Sequence, residues 1–221
     1  MDNHETLKTF VKGVVHGYAT SLIVSGRAGI GKTETVLNAL QSHGLSSGVD
    51  YLYFANYATP KGIVELLQRV NRLSEPRILV LDDFEESLKS MQAVGVLRSA
   101  LWEANGHRRI FWVTARERTA FDFNGRIIFL LNKLNINSPV VSALASRGFY
   151  YTMDFSKGEI LQMMREKAKV ISPEVSYNQK MKLIGMLERV EDSRLNLRML
   201  PQAIALYQLN PQKVANLIAK L

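Results

Sequence analysis

The chain has 221 residues, of which 47% are hydrophobic and 22% charged, a profile that suits one globular domain with a small appendage. It contains no cysteine, which excludes disulfides, thiolate metal sites and cysteine nucleophiles. No apolar run is long enough to span a bilayer, and the polar first residues carry no signal-peptide pattern, so we expect a cytoplasmic protein without a membrane partner. The net charge of +8 favours an anionic partner such as nucleic acid, although a generally basic surface would give the same total.

Strand and helix patterns alternate in the first part of the chain. Short apolar runs predict strands at 20–25, 51–55, 77–81, 126–131 and 148–153. Helical patterns fill 32–43, 60–72 and 86–105, the last of them closed by Gly106. Strands that alternate with helices imply a parallel sheet covered on both faces.

After Asp154 the pattern predicts helices only. Ser156 and Glu159 have the spacing of a capping box. Ser172-Pro173 and Asn210-Pro211 each combine an N-cap residue with a proline suited to the first helical position. We therefore predict an α/β domain over residues 1–154 and a small helical subdomain over 155–221.

A glycine-rich segment between the first strand and the first helix matches the pattern G-x-x-x-x-G-K-[ST]. It reads Gly26-Arg27-Ala28-Gly29-Ile30-Gly31-Lys32-Thr33. Glycines let successive backbone N–H groups turn toward phosphate oxygens, and the helix N-terminus adds its dipole. Lys32 can reach the β- and γ-phosphates, and the Thr33 hydroxyl can bind Mg²⁺. The segment therefore predicts a site for ATP and Mg²⁺.

Acidic residues follow the buried strand at 77–81. Asp82 is predicted to hold Mg²⁺ with Thr33, because ligands of parallel sheets lie at the carboxyl ends of strands. Asp83 is predicted to polarise the attacking water, with Glu85 and Glu86 as alternatives. These last three acids could also be solvated residues at a helix N-terminus.

The phosphate loop and the segment Leu79–Asp83 resemble those of the AAA+ ATPases, and the resemblance covers most of the chain. It implies a P-loop NTPase fold, three layers around a parallel sheet of order 5-1-4-3-2, followed by a helical lid at the C-terminus. It also implies that Asn132, or else Thr114, acts as the sensor-1 residue that orients the water. Arg198, with Arg194 as the alternative, would be the lid's sensor-2 arginine. The family usually has glutamate where Asp83 stands.

Ala143-Leu144-Ala145-Ser146-Arg147 is similar to the family segment that carries an arginine finger. Arg147 would then stabilise the transferring phosphoryl group of a neighbouring subunit, an effect of about 10³–10⁵ in rate. The alternative is an ordinary arginine at a helix C-terminus. The resemblance implies a homo-oligomer, commonly a hexameric ring.

Residues 107–125 have the composition of an inserted hairpin, with strands at 109–115 and 120–123 and a turn at 116–119. Such a hairpin resembles the pre-sensor-1 hairpin of several AAA+ clades, where it points into the central pore. Arg116 and Arg118 at the tip are predicted to contact nucleic acid. Three aromatic residues interleave with the arginines and could stack on bases: Trp112, Phe121 and Phe123. A purely structural hairpin is the alternative.

Three classes of function follow from these features. We favour a motor or remodeller, driven by ATP hydrolysis, that acts on nucleic acid, preferably DNA, in replication, recombination, transposition or a similar mobile-element process. A remodeller of proteins is the alternative, and a small-molecule kinase is disfavoured by the predicted finger and sensor residues. Because the chain is little more than a motor core, we expect a partner protein to target it.

Overall fold

The computed structural model describes residues 3–132, 142 and 144–220. The chain divides into two compact units. The first comprises Met1–Arg27 and Lys32–Met153, and the second Ala28–Gly31 and Asp154–Leu221. Within the described residues, no helix combines the length and apolar character needed to cross a membrane.

The first unit is an α/β structure built around a parallel sheet. Its elements are α1 (Asn3–Val15), β1 (Ser21–Ser25), α2 (Lys32–Ser42), β2 (Tyr51–Ala55), α3 (Pro60–Val70), β3 (Ile78–Asp82), α4 (Glu85–Leu88), α5 (Met91–Leu101), β4 (Arg109–Val113), β5 (Arg118–Asp122), β6 (Arg126–Leu131) and β7 (Phe149–Thr152). Five parallel strands lie in the order β2-β3-β6-β1-β7, while β4 and β5 form a separate antiparallel pair. With that pair left out of the count, the sheet has the predicted order 5-1-4-3-2.

Helices cover both faces of this sheet. On one face, Ile23 and Phe129 share a core with Leu67 of α3 and Leu97 of α5. On the other face, α1 packs on β1 and α2. The ring centroid of Phe10 in α1 lies 5.3 Å from the ring centroids of both Phe149 and Tyr151 in β7. Because successive strand residues point to opposite faces, the continuous apolar runs fill both cores. The predicted three-layer α/β fold is confirmed.

The predicted single helix over 86–105 is wrong. Two helices, α4 and α5, occupy this stretch, and α5 ends at Leu101. Ser90 interrupts the helix: its extended backbone breaks the chain of i to i+4 bonds, and its Oγ accepts the N–H of Ala93 at 3.3 Å as an N-cap. A turn stabilised by the reciprocal backbone bonds of Ala104 and His107 follows.

The second unit contains α6 (Lys157–Lys167), α7 (Tyr177–Leu187), α8 (Met199–Leu209) and α9 (Val214–Ile218). The capping box of Ser156 and Glu159 is confirmed at the start of α6. The helix start predicted at Ser172-Pro173 is wrong, because Ser176 caps α7 in a second capping box with Gln179. At Asn210-Pro211 the amide Oδ1 accepts the N–H of Lys213 in a turn, and the helix begins only at Val214.

Candidate nucleotide-binding site and hairpin surface

The predicted phosphate loop joins β1 to α2. Gly29 and Gly31 have φ values of 74° and 91°, a backbone conformation that glycine adopts without a steric penalty. At Gly29 a Cβ atom would lie 2.8 Å from Asn196 Oδ1, so a larger residue would collide with that amide. The loop leads into the N-terminus of α2, where backbone N–H groups and the helix dipole favour phosphate oxygens.

Lys32, the first residue of α2, is almost fully buried, with 5% of its surface exposed. Its ammonium donates hydrogen bonds to the carbonyl oxygens of Gly26 at 2.7 Å and Arg27 at 2.9 Å, and to Asn132 Oδ1 at 3.0 Å. These acceptors compensate the cost of burying the charge. The ammonium therefore lies at the base of the loop, between the carboxyl ends of β1 and β6.

Asp82 ends β3 and lies beside Thr33, as predicted for a metal site. Its Oδ2 accepts hydrogen bonds from Thr33 Oγ1 at 2.7 Å and from the Tyr53 hydroxyl at 2.8 Å. Its Oδ1 accepts the backbone N–H of Asp83 at 3.1 Å. A hydroxyl and a carboxylate are the hard oxygen ligands that Mg²⁺ prefers, so the residues at this position fit that metal.

Tyr53 completes this group and was not among the residues predicted from the sequence. It lies on β2 opposite Val80 of β3, so its phenol extends along the neighbouring strand to Asp82. Partial burial, the hydrogen bond to Asp82 and the charges of Asp82 and Asp83 raise the pKa of Tyr53 from 10.0 to about 12. The hydroxyl is therefore a neutral donor at physiological pH. A tyrosine on the strand predicted to lie next to the acid-bearing strand was the available signal.

Asn132 directly follows β6 and links Lys32 to two of the three acids considered for catalysis. Its Nδ2 donates to Asp83 Oδ1 at 2.5 Å, and its backbone N–H donates to the Glu85 carboxylate. Glu86 of α4 instead forms an exposed ion pair of 2.5 Å with Lys89. The structure thus brings Asp83 and Glu85 to this group, and it places Glu86 elsewhere.

Thr114, the alternative to Asn132 as a sensor, lies in the turn of the hairpin. Its Oγ1 accepts the backbone N–H groups of Arg116 at 3.3 Å and Glu117 at 3.0 Å. The sensor-1 residue is expected at the end of a strand of the five-stranded sheet, and Thr114 does not lie at such a strand end. The geometry therefore favours Asn132.

Arg147 lies at the other end of the sheet from Lys32. It precedes β7, and its carbonyl oxygen accepts a hydrogen bond from Thr20 Oγ1 at 3.1 Å, just before β1 begins. The five residues of β1 span about 13 Å, and the phosphate loop lies beyond its far end. Arg147 is therefore placed away from the phosphate loop of its own chain. Ala143, in the same predicted motif, lies outside the described residues.

In the second unit, Arg198 immediately precedes α8. Its backbone N–H donates to Asn196 Oδ1 at 3.0 Å, and Asn196 Nδ2 donates to the carbonyl oxygen of Arg194 at 2.9 Å. Leu197, between Asn196 and Arg198, donates its N–H to the carbonyl oxygen of Gly29 at 3.0 Å. Both arginine side chains are exposed, and their sensor-2 roles stay predictions.

The hairpin forms, with its turn two residues earlier than predicted. The strands β4 and β5 pair from Arg109 with Asp122 to Val113 with Arg118, so Arg118 lies in a strand and Arg116 in the turn. Both arginines are exposed. An ion pair of 2.9 Å between Glu117 of the turn and Lys61 of α3 links the tip to the unit.

The prediction of base stacking is wrong for Phe123, and the packing of Trp112 and Phe121 favours the alternative of a structural hairpin. Phe123 is fully buried, and the other two are partly buried against the core. The opposite face of the hairpin exposes Phe111 and Val113, to 66% and 65%. Side chains alternate along a strand, so the burial of Ile110 directs its even-numbered neighbours in β4 inward and the odd-numbered ones outward.

Only part of the predicted positive charge of this segment faces solvent. The guanidinium carbon of Arg108 lies 5.4 Å from the centroid of the Phe123 ring, and the group donates to the carbonyl oxygen of Ala100. Burial lowers the pKa of Arg108. Arg126 donates to the carbonyl oxygen of Val15 at 3.1 Å. These two guanidinium groups serve the fold, and Arg109 pairs with Asp122 at 3.3 Å. Arg116 and Arg118 remain exposed on the hairpin.

A parallel sheet of order 5-1-4-3-2 with a phosphate loop after its first strand, β1, is the AAA+ type of P-loop fold. Two solved structures share it. Cdc6p from Pyrobaculum aerophilum has a TM-score of 0.59 and 14% identity, covering 95% of this chain and 62% of that one. A DNA replication initiation factor has a TM-score of 0.51 and 14% identity, covering 93% of this chain and 59% of that one. At these identities the likeness is one of fold, and at that level the predicted resemblance to AAA+ ATPases is confirmed.

Among curated proteins, the chain is similar to an uncharacterized 36.7 kDa protein of the nrdC-mobD intergenic region of Enterobacteria phage T4. The two are 27% identical over 179 residues, which is 74% of this chain and 53% of the phage protein. The chain thus spans about half the length of this relative. No protein-family model matches it.

Proposed function

We propose that the protein is an ATP-hydrolysing motor or remodeller that acts on nucleic acid, in DNA replication, recombination, transposition or a similar mobile-element process. One observation carries the proposal, the hydrogen-bonded group at the carboxyl ends of β1, β3 and β6. Its predicted members are Lys32, Thr33, Asp82, Asp83 and Asn132. Phosphoryl transfer needs a cation that binds phosphate, oxygen ligands for a metal, and a carboxylate that polarises the attacking water.

Each residue has a separate task in this proposal. Lys32 would exchange the carbonyl oxygens of its own loop for the β- and γ-phosphates of ATP. Thr33 and Asp82 would hold Mg²⁺, which would supply positive charge to neutralise the phosphates. Asp83 would polarise the attacking water, with Glu85 as the alternative, and Asn132 would orient that water.

Hydrolysis would take place in an assembly. Because Arg147 lies at the end of the sheet opposite its own Lys32, we assign it to the nucleotide of a neighbouring subunit, as an arginine finger. Closed assembly by one repeated interface gives a ring, for which we propose six subunits. Arg198 would contact the γ-phosphate from the helical lid and relate the lid's position to the nucleotide state.

Nucleic acid is the substrate that the charge and the neighbours support best. The chain carries a net +8, and Arg116 and Arg118 are exposed on the hairpin. The two similar structures carry the names Cdc6p and DNA replication initiation factor, which favours DNA and replication. A separate protein partner would target the motor to its site.

A remodeller of proteins is the second candidate, and one observation favours it. Phe111 and Val113 form an apolar pair on the exposed face of the hairpin. Such a surface would bind apolar side chains of a polypeptide as readily as a nucleic-acid base.

Steady-state ATP hydrolysis with and without single-stranded DNA, duplex DNA and RNA tests the proposal. We expect hydrolysis that requires Mg²⁺ and rises when at least one nucleic acid is added. Lys32→Ala, as the control, should lose ATP binding because the ammonium contacts the phosphates. Hydrolysis no faster than in Lys32→Ala would contradict the assignment as an ATPase. Hydrolysis that no nucleic acid stimulates would favour the protein remodeller.

A further inference from the structure

The helical unit carries a large share of the positive charge. Asp154–Leu221 contains 11 lysines and arginines and seven aspartates and glutamates, so less than a third of the chain holds a net +4 of the total +8. Ion pairs compensate part of this charge: Lys157 with Asp192, Arg165 with Glu188 and Lys169 with Glu166. The buried Lys180 donates instead to the carbonyl oxygens of Ala168 and Ile171.

Helix α7 presents polar and basic residues on the side opposite its core. Its buried residues are Lys180, Leu183, Ile184 and Leu187. Because each residue turns the helix by about 100°, the opposite side carries a row at spacings of three and four. This row, the α7 stripe, consists of Asn178, Lys182, Gly185 and Arg189, and all four are exposed. Arg189 continues the row because Glu188, the C-cap, keeps a helical backbone.

The two cations of the α7 stripe are available to a ligand. Within the described part of the chain, neither Lys182 nor Arg189 forms an ion pair, and Glu188 is held by Arg165 at 2.7 Å. Lys182 and Arg189 are seven residues apart, which is about 10.5 Å along a helix axis. This spacing is close to the axial rise of about three base pairs in a duplex.

Gly185 lies between the two cations without a task in the fold. It has helical backbone geometry, so it does not need the conformational freedom of glycine. A Cβ atom at this position would have no atom of the described residues within 4 Å, so packing does not require glycine either. Glycine inside a helix is less stable than alanine, but it permits a ligand to approach the helix backbone closely. Its place between two cations therefore favours a ligand that lies against α7.

We infer that the α7 stripe binds the sugar-phosphate backbone of nucleic acid, as a second contact surface in addition to the hairpin. Lys182 and Arg189 contact phosphates, Asn178 donates its amide to phosphate or sugar oxygens, and Gly185 lets the strand lie against the helix. Such contacts are independent of base sequence and depend strongly on salt. The inference rests on the proposed function, because it names a further part of the surface that would hold the substrate.

Anisotropy of labelled single-stranded DNA, duplex DNA and RNA tests the inference in the full chain. Lys182→Ala/Arg189→Ala should bind roughly 10- to 100-fold more weakly, because two charge-assisted contacts are lost. Its salt dependence should be less steep by about 0.9 units per lost contact on duplex DNA and about 0.7 on single strands. Lys213→Ala/Lys220→Ala removes the same charge from exposed positions outside the α7 stripe and should behave like the parent.

A second variant separates binding from folding. Gly185→Gln places a neutral side chain with good helix propensity between the cations, so the melting temperature should stay the same or rise. Binding should nevertheless weaken roughly 3- to 10-fold, the effect of about one lost contact. Gly158→Gln is the control: Gly158 lies in the first turn of α6, it is exposed, and the nearest atom to its added Cβ would be Ser156 Oγ at 4.0 Å. It should bind like the parent.

The outcomes distinguish this inference from the proposed function. If the α7 variants bind like their controls while Arg116→Ala/Arg118→Ala binds weakly, the inference is wrong and the proposed function stands. If the α7 variants bind weakly but no nucleic acid stimulates hydrolysis, the inference stands and the proposed motor is wrong. A parent that binds none of the three nucleic acids would overturn both. Unchanged binding of nucleic acid with weaker binding of polyglutamate would reassign the α7 stripe to an acidic polypeptide and overturn the inference.

Discussion

The carboxyl end of the sheet and the hairpin differ in how their side chains are fixed. At the sheet end, β3 and β6 place Asp82 and Asn132 beside Lys32, the first residue of α2, in one hydrogen-bonded group. In the hairpin, one face is buried in the core while the other exposes Phe111, Val113 and two arginines. The first region is specified by strand ends, and the second by which of two faces meets the core.

This difference has a physical origin. A residue at the end of a parallel strand has its position set by the sheet, whatever the exact bounds of the strand. In a two-stranded hairpin, a shift of one residue in phase moves every side chain to the opposite face. Composition therefore indicates that a hairpin exists, and a buried anchor such as Ile110 decides its faces.

The largest expected effect distinguishes the two acids that contact Asn132. Asp83→Asn should retain ATP binding and lose about 10²- to 10⁴-fold in turnover, because it removes the carboxylate that polarises water. Glu85→Gln should lose much less. Single-turnover hydrolysis with separately measured ATP affinity checks both variants. The reverse ranking would move the catalytic role to Glu85.

A matched pair in β4 tests the two faces of the hairpin. Ile110→Ala should lower the free energy of unfolding by about 2–4 kcal/mol, because it leaves a cavity in the core. Phe111→Ala, one residue later, should change it by no more than about 0.5 kcal/mol. Urea unfolding of both variants measures the difference. Equal destabilisation would show that Phe111 packs in the fold and would remove it from the exposed surface.

A smaller effect is expected at Tyr53. Tyr53→Phe removes the hydroxyl that holds Asp82 and should raise the Mg²⁺ concentration for half-maximal turnover roughly 3- to 10-fold. Calorimetric titration of Mg²⁺ in the presence of ADP should show the same shift. Tyr57→Phe, an exposed tyrosine nearby, should behave like the parent. An unchanged Mg²⁺ dependence would mean that Thr33 and Asp83 alone position Asp82.

The pKa of Tyr53 adds a dependence on pH. The folded protein favours the neutral phenol, so the hydrogen bond from Tyr53 to Asp82 stabilises the fold below pH 10.0. This contribution is lost as the pH rises toward 12. The melting temperature of Tyr53→Phe should therefore fall less between pH 10 and 12 than that of the parent.

Sequence patterns sufficed for the features that depend on backbone geometry. The glycine-rich loop between β1 and α2 and the capping box at Ser156 follow from residue types at fixed spacing, whereas the sheet order was implied by the resemblance to AAA+ ATPases. Helix α1 was not predicted, although Leu7, Val11 and Val14 have helical spacing and are fully buried. Its start is polar and its apolar stripe is short.

Features that depend on competition between neighbouring signals could not be predicted from pattern alone. Ser90 and Ser176 act as N-caps, whereas Ser172 does not, because its φ of 49° places it in the turn before α7. The contact of Tyr53 with Asp82 depends on the register between β2 and β3, which composition does not encode.

The coupling of ATP hydrolysis to nucleic acid is the central claim, and one titration tests it most directly. Steady-state hydrolysis is measured as single-stranded DNA is added, at several salt concentrations, for the parent and for Arg116→Ala/Arg118→Ala. The parent should show saturable stimulation. The double variant should keep basal hydrolysis and its folding, lose most of the stimulation, and have a binding salt dependence about 0.7 units less steep for each phosphate contact removed. The same stimulation and the same salt dependence in both proteins would contradict the claim that the hairpin arginines contact the nucleic acid. If single-stranded DNA, duplex DNA and RNA all fail to stimulate the parent, the proposed action on nucleic acid is contradicted.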